Sequence, residues 1–237
     1  MIAQARTLSV DVGGTGIKML VLAADGTRAT ERTRKPTPQP ATPDAVLTTI
    51  LEMSQAHAPF DRVAVGFPGV VQQGVIRTAP NLGTEMWAGH DLAATLGAAL
   101  GCPLRVMNDA DLQGFGVITG KGAEMVLTLG TGLGAALYTD GVLYPNLELG
   151  HHPFKKGCTY EERICDAELD RIGKKRWSER VLEMLNQLQP IFNPEQLHLG
   201  GGNARKLRVP LPDNVRVFEN SQGLMGGLRL WQRTEAS

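Results

Sequence analysis

One pattern occurs in both halves of the chain and constrains its fold more than any other feature. Each copy has an apolar strand-like segment, a Gly-Thr-Gly turn, a second apolar segment and an Asp-Gly turn. The first copy reads "LSVDVGGTGIKMLVLAADG" from Leu8, and the second reads "MVLTLGTGLGAALYTDG" from Met125. Glycine allows the tight turn between two such segments, so each copy predicts a hairpin. The repetition predicts a duplicated fold in which each half is built on its own sheet.

The remaining segments alternate between strands and helices. "RVAVGFPGVV" predicts a buried strand, "PLRVM" the last strand of the first half, and "QLHLGGG" and "VRVF" two later strands. Asp91 is expected to cap a helix that ends near Gly101. Apolar residues recur at helical spacing from about Tyr160, and a closing helix is expected over Gly223 to Trp231. This alternation predicts the α/β class.

Composition excludes several functions. The 237 residues allow one large domain or two small ones, and 24 Lys plus Arg balance 24 Asp plus Glu. A net charge of zero gives no general attraction to nucleic acid or to an anionic membrane, so neither is expected as a partner. The chain has only three cysteines, a small and odd number that argues against a disulfide framework. This favours a reducing, cytoplasmic location. Neither a signal peptide nor an apolar run of about 18 residues is present, so no membrane span is expected.

Glycine turns after strands present backbone N–H groups that suit phosphate oxygens. Neither turn is a Walker A loop, because "GGTGIK" lacks the four-residue gap before Gly-Lys-Ser/Thr. "GTGLGA" matches the dinucleotide-binding pattern, with Glu148 near the expected distance. That fold needs a helix directly after the turn, however, and "AALYTDGVLY" predicts a strand. A nicotinamide-dependent oxidoreductase is therefore rejected.

Three glycine clusters in order, "DVGGTGIK", "LTLGTGLG" and "LGGGNA", resemble those of the sugar kinase, heat-shock ATPase and actin superfamily. The resemblance implies a duplicated actin-like ATPase (ribonuclease H-like) fold with two lobes around a central cleft. The two hairpins would hold the donor phosphates, and the third cluster would contact the nucleoside. The N-terminal lobe is expected over residues 1–107, completed by a C-terminal helix over 222–237, and the C-terminal lobe over 108–221.

The motifs "VDVGGTGIK", "GFPGVV", "APNL", "NDAD", "LGTGLG", "ELGH" and "LGGG" are similar to those of the ROK family of sugar kinases, and "DGVLYPNLELGH" resembles its polyphosphate glucokinase branch. This implies transfer of a terminal phosphoryl group from ATP, inorganic polyphosphate or both to the 6-hydroxyl of glucose, with Mg²⁺. The usual family state is a homodimer. A ROK kinase for mannose or fructose and a non-catalytic sugar-sensing protein are the alternatives. The family's repressors carry a DNA-binding module ahead of the kinase region, and none is expected before the strand at Leu8.

The stretch "NDADLQG" places an Asn and an Asp where a strand gives way to a helix. A carboxylate there is often only a cap or turn residue. The resemblance instead implies that Asp109 binds the attacking hydroxyl and accepts its proton, and that Asn108 binds sugar hydroxyls beside it. Asp111 is then expected to be the residue that starts the helix.

The resemblance implies further sugar-binding residues. In "ELGH" these are Glu148 and His151, whereas His152 is expected to be structural. In "YEER" either Glu161 or Glu162 matches a sugar-contacting glutamate of the family, and Glu161 is preferred. Carboxylates and imidazoles suit this task because they form hydrogen bonds with hydroxyls.

The resemblance also implies the donor site. Asp11 is expected to help hold Mg²⁺, directly or through water. Lys18 either contacts phosphate or alternates outward on its strand. The remaining phosphate- or nucleotide-binding residues are expected in the three glycine clusters: Gly13, Gly14, Thr15, Gly16, Gly130, Thr131, Gly132, Gly200, Gly201 and Gly202.

One departure from general family features concerns metal, and a separate question concerns the phosphoryl donor. Many ROK kinases have a zinc site of one His and three clustered cysteines, but Cys158 and Cys165 are too far apart for it, so no zinc site is expected. A polyphosphate donor would need a basic track. Six basic residues of the second half are candidates for this track, but runs of this kind more often form solvated helix faces: Lys121, Lys155, Lys156, Lys174, Lys175 and Arg176.

Overall fold

The computed structural model describes residues 5–219 and 223–232, which form two compact units. The first unit contains residues 5–116 and 223–232, and the second contains residues 117–219. Parts of the expected lobes, residues 1–4, 220–222 and 233–237, lie outside the described residues.

The strands are β1 (Thr7–Val12), β2 (Ile17–Leu22), β3 (Thr33–Lys35), β4 (Arg62–Phe67), β5 (Val71–Gln72), β6 (Val75–Ile76), β7 (Leu104–Asn108), β8 (Ala123–Leu129), β9 (Leu133–Thr139), β10 (Val142–Tyr144), β11 (Pro153–Lys155), β12 (Cys158–Thr159), β13 (Gln196–Gly200) and β14 (Val215–Val217). The helices are α1 (Pro43–Gln55), α2 (Thr84–Trp87), α3 (Leu92–Leu100), α4 (Asp109–Phe115), α5 (Tyr160–Ile164), α6 (Asp166–Phe192) and α7 (Gly226–Gln232).

The two large sheets have the same topology. The first has the strand order β3-β2-β1-β4-β7, and the second has the order β10-β9-β8-β13-β14. In each sheet the first three strands of the sequence form an antiparallel meander, and the two later strands extend it in parallel. The duplicated α/β fold predicted from the repeated pattern is therefore confirmed.

Parallel pairing decides where the motifs lie. Because β1, β4 and β7 run in one direction, their carboxyl ends meet at the same edge of the first sheet. The first glycine turn follows β1 there, and Asp109 follows β7. In the second sheet β8 and β13 are parallel neighbours, so the second and third glycine clusters also lie at one edge.

The first unit's core is covered by helices on both faces of its sheet. On one face α1 begins at its Thr42 cap and α3 runs from its Asp91 cap to Gly101, which has a left-handed backbone as the C-cap. On the other face Leu228 of α7 and Leu224, just before it, pack against Leu20 and Leu22. Burial of each such side chain contributes about 1.5–3 kcal/mol. The helix α7 also lies so close to α4 that a Cβ on Gly226 would be 1.7 Å from the carbonyl oxygen of Leu112.

The second unit packs α5 and α6 over its sheet. Trp177 is fully buried, and its Nε1 donates to the carbonyl of Ile164, 2.7 Å away. The continuous helical pattern predicted from Tyr160 is interrupted at Cys165, and α6 is kinked at Gly173, whose φ is 78°. No helix in the described part of the chain is long and apolar enough to cross a bilayer.

Candidate active site

The first glycine turn connects β1 to β2. Gly13 N–H donates to the carbonyl of Gly16 over 3.0 Å, which closes the turn. A Cβ on Gly13 would lie 3.1 Å from that carbonyl oxygen, so the turn leaves little room for a side chain there. Gly14 and Thr15 lie at its tip. The predicted phosphate-binding residues of the first cluster thus form one compact loop.

Asp11 and Lys18 form an ion pair beside this turn. They are directly opposite each other in the β1–β2 pair, and Lys18 Nζ donates to Asp11 Oδ2 over 2.8 Å. The Asp11 side chain is only 10% exposed. The ion pair holds the ammonium group of Lys18 beside the first glycine turn.

Two side chains that the sequence analysis did not identify hold the turn from its other side. Arg34 on β3 donates through Nη2 to the carbonyl of Thr15 over 3.1 Å. Thr37 Oγ1 donates to the carbonyl of Gly13 over 2.5 Å. Because these donors bind carbonyl oxygens of the turn, they do not occupy its N–H groups, of which that of Gly13 is already used to close the turn.

Asn108 and Asp109 stand at the start of α4. Asn108 is the N-cap, since its Oδ1 accepts from the N–H groups of Ala110 and Asp111 at 2.8 and 3.1 Å. Its Nδ2 donates to the carbonyl of Gly69. The expectation that Asp111 starts the helix is wrong, because the cap lies three residues earlier and Asp111 is buried within the first turn.

Asp109 is the first residue of α4 and is partly exposed. Its Oδ1 accepts from the N–H of Ala110 over 2.8 Å. This contact and the Asn108 cap orient the carboxylate at the carboxyl end of β7.

Three of the predicted sugar-binding residues lie together in the second unit. His151 Nε2 is 3.7 Å from Glu148 Oε2, and the two belong to one 3₁₀ turn. Burial raises the pKa of Glu148; His151 opposes this, and the nearby Glu161 adds to it. Glu161 Oε2 accepts from the N–H of Leu133, 3.0 Å away, which attaches it to the start of β9.

Glu162 has a different local role from Glu161. Thr159 and Glu162 form a capping box for α5: Thr159 N–H donates to Glu162 Oε2 over 2.7 Å, and Glu162 N–H donates to Thr159 Oγ1 over 3.2 Å. The Glu162 side chain is therefore committed to a helix start, whereas Glu161 lies beside Glu148. His152 donates from Nδ1 to the carbonyl of Pro153, and its ring stacks on Tyr160.

The second and third glycine clusters are joined by a hydrogen-bonded pair. Asn203 is buried; its N–H donates to the carbonyl of Leu129, and its Nδ2 donates to Asp166 Oδ1. The N–H of Asp166 in turn donates to the carbonyl of Gly130 over 2.9 Å. A sequence signal for this link is the Asn that directly follows the third cluster in "LGGGNA".

Glycines of these clusters differ in what surrounds them. A Cβ on Gly201 would lie 2.3 Å from the carbonyl oxygen of Leu129, and one on Gly200 would overlap the ring of Phe218. Added Cβ atoms on Gly130 and Gly202 would meet nothing within 4 Å. Gly200 and Gly201 are therefore required for packing, while Gly130 and Gly202 face open space. Thr131 lies at the exposed tip of the second turn.

The basic residues proposed as a polyphosphate track are exposed, and Lys155 is paired with Glu183. Within residues 5–219 and 223–232, no group of three or more His, Cys, Asp or Glu side chains is arranged to hold a metal ion.

Comparisons with known proteins show which family this chain resembles. A sequence model described as "ROK family" matches residues 7–166. The polyphosphate glucokinase of Mycobacterium tuberculosis (strain ATCC 25177 / H37Ra) is 35% identical over 240 aligned residues, which cover 94% of this chain and 90% of that protein.

Two solved structures resemble this one. The inorganic polyphosphate/ATP-glucomannokinase from Arthrobacter sp. strain KM has a TM-score of 0.86 at 33% identity, covering 97% of this chain and 100% of that chain. A ROK family glucokinase from Streptomyces griseus, in complex with glucose and AMPPNP, has a TM-score of 0.80 at 20% identity, covering 95% of this chain and 98% of that one. At that lower identity the similarity shows the shared fold alone.

Proposed function

The chain belongs to the ROK family, and from this premise we propose that it is a glucokinase-type phosphotransferase. The proposed reaction moves a terminal phosphoryl group from ATP, inorganic polyphosphate or both to the 6-hydroxyl of glucose. The observation that carries the proposal is the 35% identity to a polyphosphate glucokinase over 94% of this chain.

The position of Asp109 supports its assignment as the general base. An attacking hydroxyl must lose a proton as it bonds to phosphorus, and a fixed carboxylate both accepts the proton and orients the oxygen. Asp109 is fixed by its contact with Ala110 N–H and stands at a strand end, where enzymes of the α/β class often carry reactive groups. Asn108 remains a candidate for the sugar, although its Oδ1 and Nδ2 both have backbone partners.

The cluster of Glu148, His151 and Glu161 supports the assignment of a hydroxyl-rich ligand. Carboxylates accept hydrogen bonds from hydroxyls, and a histidine can donate or accept one. The capping box of Glu162 supports Glu161 as the family's second sugar glutamate. The Glu148 side chain is only 31% exposed, so its carboxylate is already partly withdrawn from water, which lowers the further cost of covering it with a sugar.

Phosphate binding is assigned to backbone N–H groups of the first and second glycine turns other than those of Gly13 and Gly130, which close the turns, and the third cluster lies beside the second. Asp11 suits Mg²⁺ because this ion needs only one or two carboxylates when phosphates and waters supply the other oxygens. Lys18 would then balance the remaining charge on Asp11. When bound, Mg²⁺ neutralises charge on the phosphates of the donor.

The experiment is a direct assay of the purified chain with glucose and Mg²⁺, first with ATP and then with polyphosphate. Glucose 6-phosphate should form with at least one donor, and phosphorus NMR should place the new ester on the 6-hydroxyl. Mannose, fructose and N-acetylmannosamine serve as competing acceptors. Sugar binding without product from either donor would refute the kinase and support the sugar-sensing alternative.

A further inference from the structure

A row of charged side chains crosses the first sheet at the level of the first glycine turn. Asp11 is opposite Lys18 in the β1–β2 pair, and Lys18 is opposite Arg34 in the β2–β3 pair. Residues directly opposite each other in antiparallel strands project from the same face. Asp11, Lys18 and Arg34 therefore form one row of one negative and two positive charges.

Arg34 lies directly on the turn. A Cβ on Gly16 would be 2.7 Å from its Nε and Nη2, and the guanidinium also donates to the carbonyl of Thr15. A planar guanidinium has five N–H donors, so the bond to Thr15 leaves others for an anion.

The cations near this turn differ in how their charge is balanced. Lys18 is paired with Asp11 at 2.8 Å, and Lys35, the next residue on β3, is paired with Glu52 at 2.9 Å. Among the described residues no carboxylate forms an ion pair with Arg34. Arg34 therefore carries the unbalanced positive charge at the turn.

The strand that carries Arg34 is held in place. His57 is buried, and its two ring nitrogens are hydrogen-bonded to the hydroxyls of Thr30 and Thr33 at 2.8 and 2.7 Å. Thr33 is the neighbour of Arg34 on β3. A fixed backbone reduces the entropy that Arg34 would lose on binding a ligand.

The row continues across the sheet toward Asp109. Asp11 is opposite Gly66 on β4, Gly66 is opposite Met107 on β7, and Asp109 lies two residues beyond Met107. Four strand intervals of about 4.8 Å separate β3 from β7, or about 19 Å in total. Arg34 is thus on one outer strand of the sheet, β3, and the proposed base follows the other outer strand, β7. The glycine turn lies between them.

We propose that Arg34 is a donor-specificity residue that binds phosphate groups beyond the one transferred, and that it makes linear inorganic polyphosphate a donor for this chain. The inference rests on the proposed kinase function. The terminal phosphate of a polyphosphate donor would lie at the acceptor hydroxyl near Asp109, and the phosphate chain would follow the first glycine turn. Its later phosphate units would then reach Arg34. ATP has only three phosphates before its nucleoside, so it presents fewer groups to this edge.

The test compares Arg34→Gln with Lys35→Gln. Both remove one positive charge from the same short strand, and the glutamine at 34 keeps a polar N–H group on the side chain. KM and kcat are measured with long-chain polyphosphate and with ATP at saturating glucose. Arg34→Gln should raise the polyphosphate KM about tenfold with kcat unchanged. Its ATP KM should change less than about threefold, and Lys35→Gln should leave both donors unaffected.

Direct binding separates this inference from the proposed function. Calorimetric titration of long-chain polyphosphate and of tripolyphosphate into the full chain and into Arg34→Gln requires no turnover. If Arg34→Gln weakens the binding of long-chain polyphosphate but not of tripolyphosphate, the role of Arg34 is supported even when no sugar is phosphorylated. In that case only the kinase proposal fails. The inference would be overturned if Arg34→Gln reduced the affinity for both phosphate ligands equally, or raised the KM of both donors equally. It would also be overturned if neither the affinity nor the KM changed. Arg34→Lys should recover part of the affinity, because the charge returns without the planar fork.

Discussion

The two glycine hairpins share one topology but are held by different chemistry. The turn after β1 is surrounded by charge, with the Asp11–Lys18 pair on one side and Arg34 on the other. The turn after β8 is held by the Asp166 N–H and is linked through Asn203 to the third glycine cluster. The duplicated sheets thus provide equivalent positions, and the side chains at the strand ends distinguish them.

This difference indicates a division of tasks. The first unit has the proposed base, the carboxylate proposed for Mg²⁺ and an unbalanced arginine, which are groups suited to phosphoryl transfer. The second unit has a cluster of Glu148, His151 and Glu161, which suits hydroxyl recognition. A substitution in one unit therefore tests one side of this comparison.

The largest expected effect is on turnover in Asp109→Asn. Loss of the carboxylate removes the proton acceptor, so kcat should fall by about a thousandfold. The matched control is Asp91→Asn, since Asp91 also accepts from a backbone N–H at a helix start. Comparable turnover in the two variants would return Asp109 to the role of a structural cap.

The next effect is on folding of the second unit. Gly201→Ala should lower the free energy of unfolding by about 3 kcal/mol, because the methyl group would overlap the backbone of Leu129 and the φ of 85° is unfavourable for alanine. Gly202→Ala meets open space and should change it by less than about 0.5 kcal/mol. Denaturant unfolding of both variants measures the contrast, and equal values would contradict the close approach of the two clusters.

A smaller effect is expected on sugar affinity. Glu161→Gln should raise the glucose KM about tenfold, since a charged hydrogen-bond acceptor is lost. Glu162→Gln alters only the capping box of α5, so its glucose KM should stay within about twofold of the wild type. If Glu162→Gln had the larger effect, the choice between these two glutamates would be reversed.

The smallest effect is on acid stability, which should have separate origins in the two units. Burial lowers the pKa of His57 from 6.5, so the unfolded chain takes up the proton first and stability declines as pH falls below 6.5. Bonds from Arg171 and Arg180 lower the pKa of Glu168 from 4.5 to about 2, a stabilisation complete above pH 4.5 and lost as pH falls toward 2.

Free energies of unfolding measured from pH 8 to pH 3 test these two origins. His57→Gln should flatten the slope just below pH 6.5, and Glu168→Gln should flatten the slope below pH 4.5. An unchanged profile in either variant would assign the corresponding slope to other groups.

The sequence predicts the scaffold well because its signals are local. Alternating apolar segments around glycine turns are sufficient to predict both hairpins, and Asp91 and Gly101 predict the bounds of α3. The Thr159-x-x-Glu162 spacing is also a local signal, and it would have assigned Glu162 to the capping box.

Other features depend on contacts between distant segments. The strand β3 has three residues, two of them charged, and only its pairing with β2 brings Arg34 to the turn. Asn and Asp are both good N-caps, so the sequence alone does not decide between Asn108 and its neighbours. The kink at Gly173 has no strong local signal, since a single glycine is also tolerated within helices.

The most direct test of the central claim, that Asp109 performs the chemistry while other residues bind the sugar, is a calorimetric titration of glucose into Asp109→Asn. The account predicts a Kd within about threefold of the wild-type value alongside the thousandfold loss of kcat. Loss of glucose binding in proportion to the loss of turnover would contradict it.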